Sequence, residues 1–447
     1  MNALDAAREH YLSRFEAFER GIGSAGPAWL RALRRQALEH FAELGLPSTR
    51  REEWRYTNLT PLAKIPFELP SGSPESVSRD AVEASSIPVL ACSSFVFVDG
   101  RYSAELSVPR VLSGSVRVES LARVSAEAPD AIEPHLGRYA NCKEHPFAAL
   151  NTAFLDDGAA LLIPPGTRVE NPLHVVFLST DGGGTSVRHP RVLIVAGAGS
   201  RVVVIQDHVS LGEAPGFTNV VTEVHAGRDA EVDLSIVQRE NASTFHVSGL
   251  HLRQERDSRF AAHTITLGGS LVRNDVVALL GDEGASCQLD GLFVGGRSQV
   301  LDSHTLIDHA MPHGTSRELY KGILGGRAKG VFRGRVIVRP DAQGTNAYQS
   351  NPNLLLNDGA EIDTKPQLEI HADDVKCSHG SSIGQLDQEA LFYLRTRGLA
   401  EAAARDLLTR GFASEILARL PVAALGEGLA ELLDARLDDA RRPETAP

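Results

Sequence analysis

The 447-residue sequence predicts a mainly β protein, a β-solenoid with helical segments at both ends. Three observations carry that expectation. From about residue 90 to 385, apolar residues alternate with a period of two. Within that stretch a small residue in a turn, followed by an alternating strand, recurs at an interval near 30 residues. On either side of it the apolar period returns to that of a helix.

The first 60 or so residues read as helical. Leu30, Leu33, Ala37, Phe41 and Leu44 recur at steps of three and four, which places them on one face. Pro27 opens this helix, and Gly45 with Pro47 closes it. A polar segment carrying Trp54 and Tyr56 follows, then a Ser- and Pro-rich stretch at residues 70–80 with the composition of a domain boundary.

The central segments RVLIVAG, RVVVIQDH, AEVDLSIVQ, HTITLGG, GLFVGG, GRVIVRP and QLEIHADD are short, rich in Val, Ile and Leu, and punctuated by Gly, Asp and Asn. No helix-length segment separates them, so a doubly wound α/β fold fits poorly. The small residues that mark the repeat are Ser200, Ala230, Ser258, Ala285, Ala328 and Ala360, at spacings of 30, 28, 27, 43 and 32. The step of 43 spans LDSHTLIDHAMPHG and reads as an insertion. Units that cannot bury their own apolar face must stack on neighbours, which favours a solenoid over the competing β-sandwich.

After Gly384 the helical period resumes. Asp387 is placed to cap QEALFYLRTR, and Gly398 sits where a helix-terminating glycine belongs. A second helix carries Leu408, Phe412, Ile416 and Leu420 at four-residue steps and stops at Pro421. A third, loosened by Gly426 and Gly428, leads to a disordered tail, PETAP. Two roles fit this module: a cap over the open end of the coil stack, or a docking surface for another protein. The expected division is therefore 1–80 helical domain and linker, 81–385 solenoid, 386–441 helical domain and 442–447 tail.

Composition narrows the function. Lys and Arg total 45 against 57 Asp and Glu, a net charge of −12, which argues against a nucleic-acid binder. No apolar run reaches the length of a membrane span, and the N-terminal segment lacks the layout of a signal peptide, so a soluble cytoplasmic protein is expected. No phosphate-binding GxxxxGK[ST] occurs, and no GxGxxG follows a strand to open a helix. KGILGGRAKG reads as a turn between strands, so no nucleotide is expected on this chain.

The four cysteines form no CxxC pair. Cys92, Cys142 and Cys287 read as packed apolar residues. Cys377 and His379 are two apart, so on a strand both side chains project from one face, a thiolate and an imidazole suited to iron or zinc. Asp373 and Asp374 are adjacent as outer-sphere partners, although two ligands do not close a site. The competing reading is a buried cysteine beside a hydrogen-bonded histidine. A weaker metal candidate is the set Asp302, His304, Asp308, His309 and His313, in which His304 and His309 would face opposite sides of a regular strand.

Three long motifs carry a resemblance. KPQLEIHADDVKCSHGSSIGQLDQEALFYLRTRG, YKGILGGRAKGVFRGRV and HPFAALNTAFLDDGAALLIPPGTRVENPLHVVF, together with the N-terminal GPAWLRALRRQALEHFAELGLPSTRREEWRYTNLTPL, resemble the SufB/SufD family of iron–sulfur cluster assembly scaffolds. Cys377-Ser378-His379-Gly380 stands where the SufB branch carries a HEA-type stretch, so the likeness is to the SufD branch.

The resemblance implies a right-handed parallel β-helix core and a non-enzymatic subunit of the SUF machinery. It implies pairing with SufB through the β-helix and binding of the ATPase SufC through the C-terminal helices, with Phe392, Leu408, Phe412 and Ile416 as partner-facing residues. It leaves open a homodimer when SufB is absent, and it implies a transient cluster or iron shared with SufB, with His379 and Cys377 as the metal residues. No nucleic acid, membrane or nucleotide partner follows from it. The alternative is a stand-alone β-helix enzyme, metal-dependent through Cys377, His379 and the 302–313 segment, or carbohydrate-active through paired carboxylates.

Overall fold

The computed structural model describes residues 2–21, 26–70, 77–87, 92–110, 116–181 and 184–441. Most of the expected linker at 70–80 and the whole of the expected tail at 442–447 lie outside these residues.

The core is a parallel β-helix of about eight coils, built from two sheets that face each other across a common interior. One sheet stacks, in chain order, Ser93–Val98, Leu173–Ser179, Arg201–Ser210, Glu231–Arg239, Arg259–Thr266, Ser286–Gly295, Thr315–Leu324, Asn346–Leu355 and Lys376–Gly384. The other runs from Gly158–Ile163 through Arg191–Ala196, Gly216–Ala226, Phe245–Gln254, Leu271–Leu280, Val300–His309 and Lys329–Val338 to the short strands Glu361–Thr364 and Gln367–Ile370. Antiparallel strands Arg101–Val108 and Arg117–Ser120 close the N-terminal end of the two sheets. The interior is filled by residues such as Phe97, Val204, Leu250, Val276, Leu289 and Phe332. The stacking of neighbours over one apolar column favoured a solenoid in the sequence, and the sandwich alternative falls away.

The coil corners show why the repeat was legible and where it misled. The N–H of each new strand donates to the small residue one coil earlier: Glu231 to Ser200, Arg259 to Ala230, Ser286 to Ser258, Thr315 to Ala285, Asn346 to Gly314 and Lys376 to Thr345, all at 2.8–3.0 Å. Those markers are spaced by 30, 28, 27, 29 and 31 residues, so the segment 302–313 is an ordinary half-coil and not an insertion. The step of 43 arises because Ala328 and Ala360 begin strands of the opposite sheet, whereas the true successor of Ala285 is Gly314. Each corner is preceded by a residue in the left-handed region: Gly199, Asp229, Asp257, Gly284, His313 and Gly344, with φ between 54° and 74°. His313 is therefore a corner residue, with φ of 61°.

The N-terminal helices Ala3–Arg20 and Ala28–Leu44 pack on the outer face of the second sheet, where Phe41, Trp54, Leu62 and Phe67 meet Phe217, Phe245 and Leu271. Pro27 and Gly45 flank the second helix as the sequence implied. The helices Leu121–Glu127 and Pro146–Ala153 lie in the chain between the first strand of the stack, Ser93–Val98, and Gly158–Ile163. Every residue of Pro146–Ala153 is buried, so it has no polar face and no readable periodicity.

The C-terminal helices Gln388–Thr396, Glu401–Leu417 and Ala423–Arg441 lie on the outer face of the first sheet, against Leu292, Val294, Leu319, Ile323 and Leu354. They do not cap the open end of the stack. Asp387 caps the first of them by accepting from the Glu389 N–H, and Gly398 follows it with φ of 91°. Close approach is set by glycine. A Cβ on Gly296 would lie 2.6 Å from Ala440 Cα, and one on Gly325 would lie 2.1 Å from Ala440 O. The glycines of KGILGGRAKG and GLFVGG thus form the seat of the last helix.

Buried titratable groups link folding to pH. Burial holds His189 and His208 near 3, so both are neutral in the fold. Burial disfavours the charges of Asp207 and Glu240, but Arg239 beside the first and His246 beside the second bring both to about 2. Burial likewise opposes the charge on His174, and hydrogen bonding to Asp207 and Cys92 overrides it, raising this imidazole to about 9. The unfolded chain takes up protons on His189 and His208 below 6.5 and on the two carboxylates below about 4, so stability falls as pH drops through those ranges. The His174 contribution is complete below 6.5 and is lost as pH rises towards 9. Calorimetric Tm should therefore peak near pH 6.5 and decline on both sides, more steeply in acid; a flat profile between about pH 4 and 9 contradicts this.

Candidate functional site

Lys376–Gly384 is the last strand of its sheet, hydrogen-bonded on one side only, to Asn346–Leu355. Its register places Cys377 beside Ala347, His379 beside Gln349 and Ser381 beside Asn351. Ala347, Gln349 and Asn351 all point to the interior. Cys377 and His379 consequently share the inward face, as their spacing required. Because no further coil among the described residues covers them, the same face opens to solvent at the end of the stack.

Cys377 is half-buried against the interior cluster, and burial raises its thiol above the ordinary value. The His379 side chain is exposed and, among the described residues, makes no hydrogen bond. Asp373 and Asp374 are exposed in the preceding turn, with the Asp374 N–H donating to Gln343 Oε1 at 2.9 Å. Neither carboxylate is hydrogen-bonded to Cys377 or His379 among the described residues. On the inward columns at this open end Ile370 and Ile383 are 42% and 51% exposed, apolar surface that the sequence reading missed, whereas Tyr348 faces outward with Arg317 3.9 Å over its ring. Gly380–Gly384 has GxSxG spacing, but it lies within the strand, whereas a nucleophile elbow needs a strand-to-helix turn.

The second candidate set does not converge. Asp302, His304 and Asp308 face outward from Val300–His309, while His309 faces inward and bonds Ser316 Oγ at 2.9 Å. Asp302 accepts from Arg273 at 2.8 Å and from Thr57, and Arg273 lies 3.9 Å over the Trp54 ring. These residues fasten the N-terminal segment to the solenoid. A cavity of about 500 Å³ at this seam is lined by Trp54, His145, His251, Arg273, Arg333 and Arg335 among others. Three of its guanidinium groups are paired with carboxylates of the chain, Arg273 with Asp275 and Asp302, Arg333 with Glu52 and Arg335 with Glu369, while Arg51 donates to the Leu44 carbonyl at 2.9 Å. Of the cysteines expected to be packed, Cys287 is buried, whereas Cys92 and Cys142 are only half-buried.

On the C-terminal helices, Phe392 is 69% exposed. Ile416 is wholly buried in the cluster that binds the helices to the sheet, which corrects its expected role in partner contact. Leu408 and Phe412 are half-buried in the same cluster, and Lys321 Nζ lies 4.3 Å from the Phe412 ring centroid and donates to the Phe412 carbonyl at 3.0 Å. Tyr393 on the same helix, Leu399 in the turn that follows and Leu407 on the next helix are also exposed. Leu407 beside Leu408 was the signal for the last of these, since adjacent apolar residues put apolar surface on two faces of one helix.

Residues 177–412 match the family described as SUF system FeS cluster assembly, SufBD core domain, and residues 5–175 match the SufBD protein N-terminal region. The chain belongs to the SufBD family. It is 31% identical over 407 residues to the iron–sulfur cluster assembly protein SufD of Escherichia coli, covering 90% of this chain and 92% of that one. It is 33% identical to a SufBD family protein of Synechocystis, covering 90% of both, and 27% identical to SufD of Bacillus subtilis, covering 92% and 94%. Within this SufBD chain, no helix among the described residues is long and apolar enough to cross a membrane.

Burial separates the helix residues into two roles. Ile416→Ala should destabilise the fold by about 2–5 kcal/mol, while Phe392→Ala should stay within about 0.5 kcal/mol of the parent. Equilibrium urea unfolding of both variants measures this, and equal effects would overturn the assignment.

Proposed function

We propose that this chain is a non-catalytic scaffold subunit of SUF iron–sulfur cluster assembly, acting beside a sister SufB-type subunit and a SufC-type ATPase in the cytoplasm. The observation that carries the reading is the placement of Cys377 and His379 on the uncovered inward face of the terminal coil, within a family defined by cluster assembly. Each such end offers half a coordination sphere. Iron or a nascent cluster is the cargo there, and it is held only when a second β-helix end supplies the remaining ligands. The exposed Ile370 and Ile383 suit burial in that pairing.

The exposed surface around Phe392 is proposed as the ATPase-binding site. It lies on helices fixed to the same sheet whose last strand carries His379, so a motion of the motor reaches the site through one packed body. An ATPase that makes different contacts in its open and closed states biases the alignment of the two ends, first completing the shared site and then weakening it for transfer.

In co-expressed complexes, His379→Ala should retain the fold and the associated ATPase but lose most bound iron and sulfide, and Phe392→Asp should lose the ATPase. Full iron content in the His379→Ala complex would remove the ligand assignment, and an unchanged ATPase yield with Phe392→Asp would remove the helical docking site.

A further inference from the structure

We infer that Gln349, itself held by Glu318, is a positioning residue for His379: its unpaired carboxamide oxygen accepts one imidazole N–H and leaves the other ring nitrogen's lone pair directed to the open end. The purpose of this arrangement rests on the reading of His379 as a metal ligand; its geometry does not.

Leu289, Glu318, Gln349 and His379 occupy one inward column on four consecutive coils. Neighbouring strands are about 4.8 Å apart, within the reach of a glutamine side chain. Gln349 is 4% exposed, and its Nε2 donates to Glu318 Oε2 at 2.6 Å. Burial raises Glu318 to about 7; above that pH it is a carboxylate, which only accepts, so it selects the amide's NH₂ end and leaves the oxygen for something else. That oxygen, Gln349 Oε1, is buried without a hydrogen-bond partner among the described residues. A buried acceptor is costly to leave unpaired.

The opposite sheet does not supply the missing donor. Across the interior, Gln349 lies over Gly334, where a Cβ would fall 2.1 Å from Nε2. Above Gly334 the last coil is interrupted: Glu361–Thr364 pairs with residues 329–332 and Gln367–Ile370 with residues 335–338. The next residue of the column is His379, whose imidazole is exposed and without a hydrogen bond among the described residues. A neutral imidazole has one donor and one acceptor, so a neighbour that takes the N–H decides which nitrogen is left for a metal.

The test uses the iron-free full-length chain labelled with ¹⁵N-histidine. Long-range ¹⁵N–¹H spectra are recorded above about pH 8, where Glu318 is a carboxylate, and His379 is assigned by loss of its signal in His379→Ala. The parent should show a single tautomer at His379, and Gln349→Leu should show the averaged shifts of a mixture. Should Gln349→Leu fail to fold, the isosteric Glu318→Gln, which no longer dictates the amide's orientation, must give a mixture instead. A mixture in the parent, or a single tautomer retained in the folded variant, overturns the inference. Since no iron is present, a held tautomer combined with unaltered cluster assembly by His379→Ala would overturn the functional reading alone.

Discussion

Everything in this molecule depends on parallel strands stacked in unbroken register. Once each new strand donates to a residue about 30 positions earlier, every side chain inherits the column of its predecessor. Apolar columns make the interior, and the outer faces become the ground on which the helical modules sit. The same rule has a consequence at the end of the stack. The last strand inherits an inward column with nothing above it, so its inward residues become surface. Lys376 donates back to Thr345, and in a parallel ladder the alternate N–H groups along the strand point to the unpaired edge.

The two helical modules solve different problems on opposite sheets. The N-terminal helices cover one outer face through a large aromatic cluster and the Arg273–Trp54 contact. The C-terminal helices cover the other, and their last turn approaches the coil corners so closely that only glycine fits at Gly296 and Gly325. Both leave the terminal strand open, which separates the surface around Phe392 from the edge that bears His379.

Much of this was legible because strand chemistry has a period of two. Two residues of separation were enough to place Cys377 and His379 on one face, and the marker spacing gave the coil length. What failed did so for physical reasons. The small-residue marker occurs at corners of both sheets, so the step from Ala285 to Ala328 mixed two half-coils and made an ordinary coil resemble an insertion. Pro146–Ala153 was invisible because a wholly buried helix has no polar side to set its period. Ile416 was misassigned because four-residue steps reveal an apolar face but not whether the chain itself covers it. The exposure of the His379 column was not legible either, since the helices that follow the last coil fitted a cap over its open end as well as a docking surface.

The central claim is that the strand Lys376–Gly384 is an edge awaiting a second β-helix end. Hydrogen–deuterium exchange of this segment, compared between the isolated chain and its complex with a SufB-type subunit, tests it most directly. The account predicts rapid exchange of alternate amides from Cys377 to Ile383 in the isolated chain, and strong protection of the same amides in the complex. Exchange in this strand that is unchanged by the partner would contradict it.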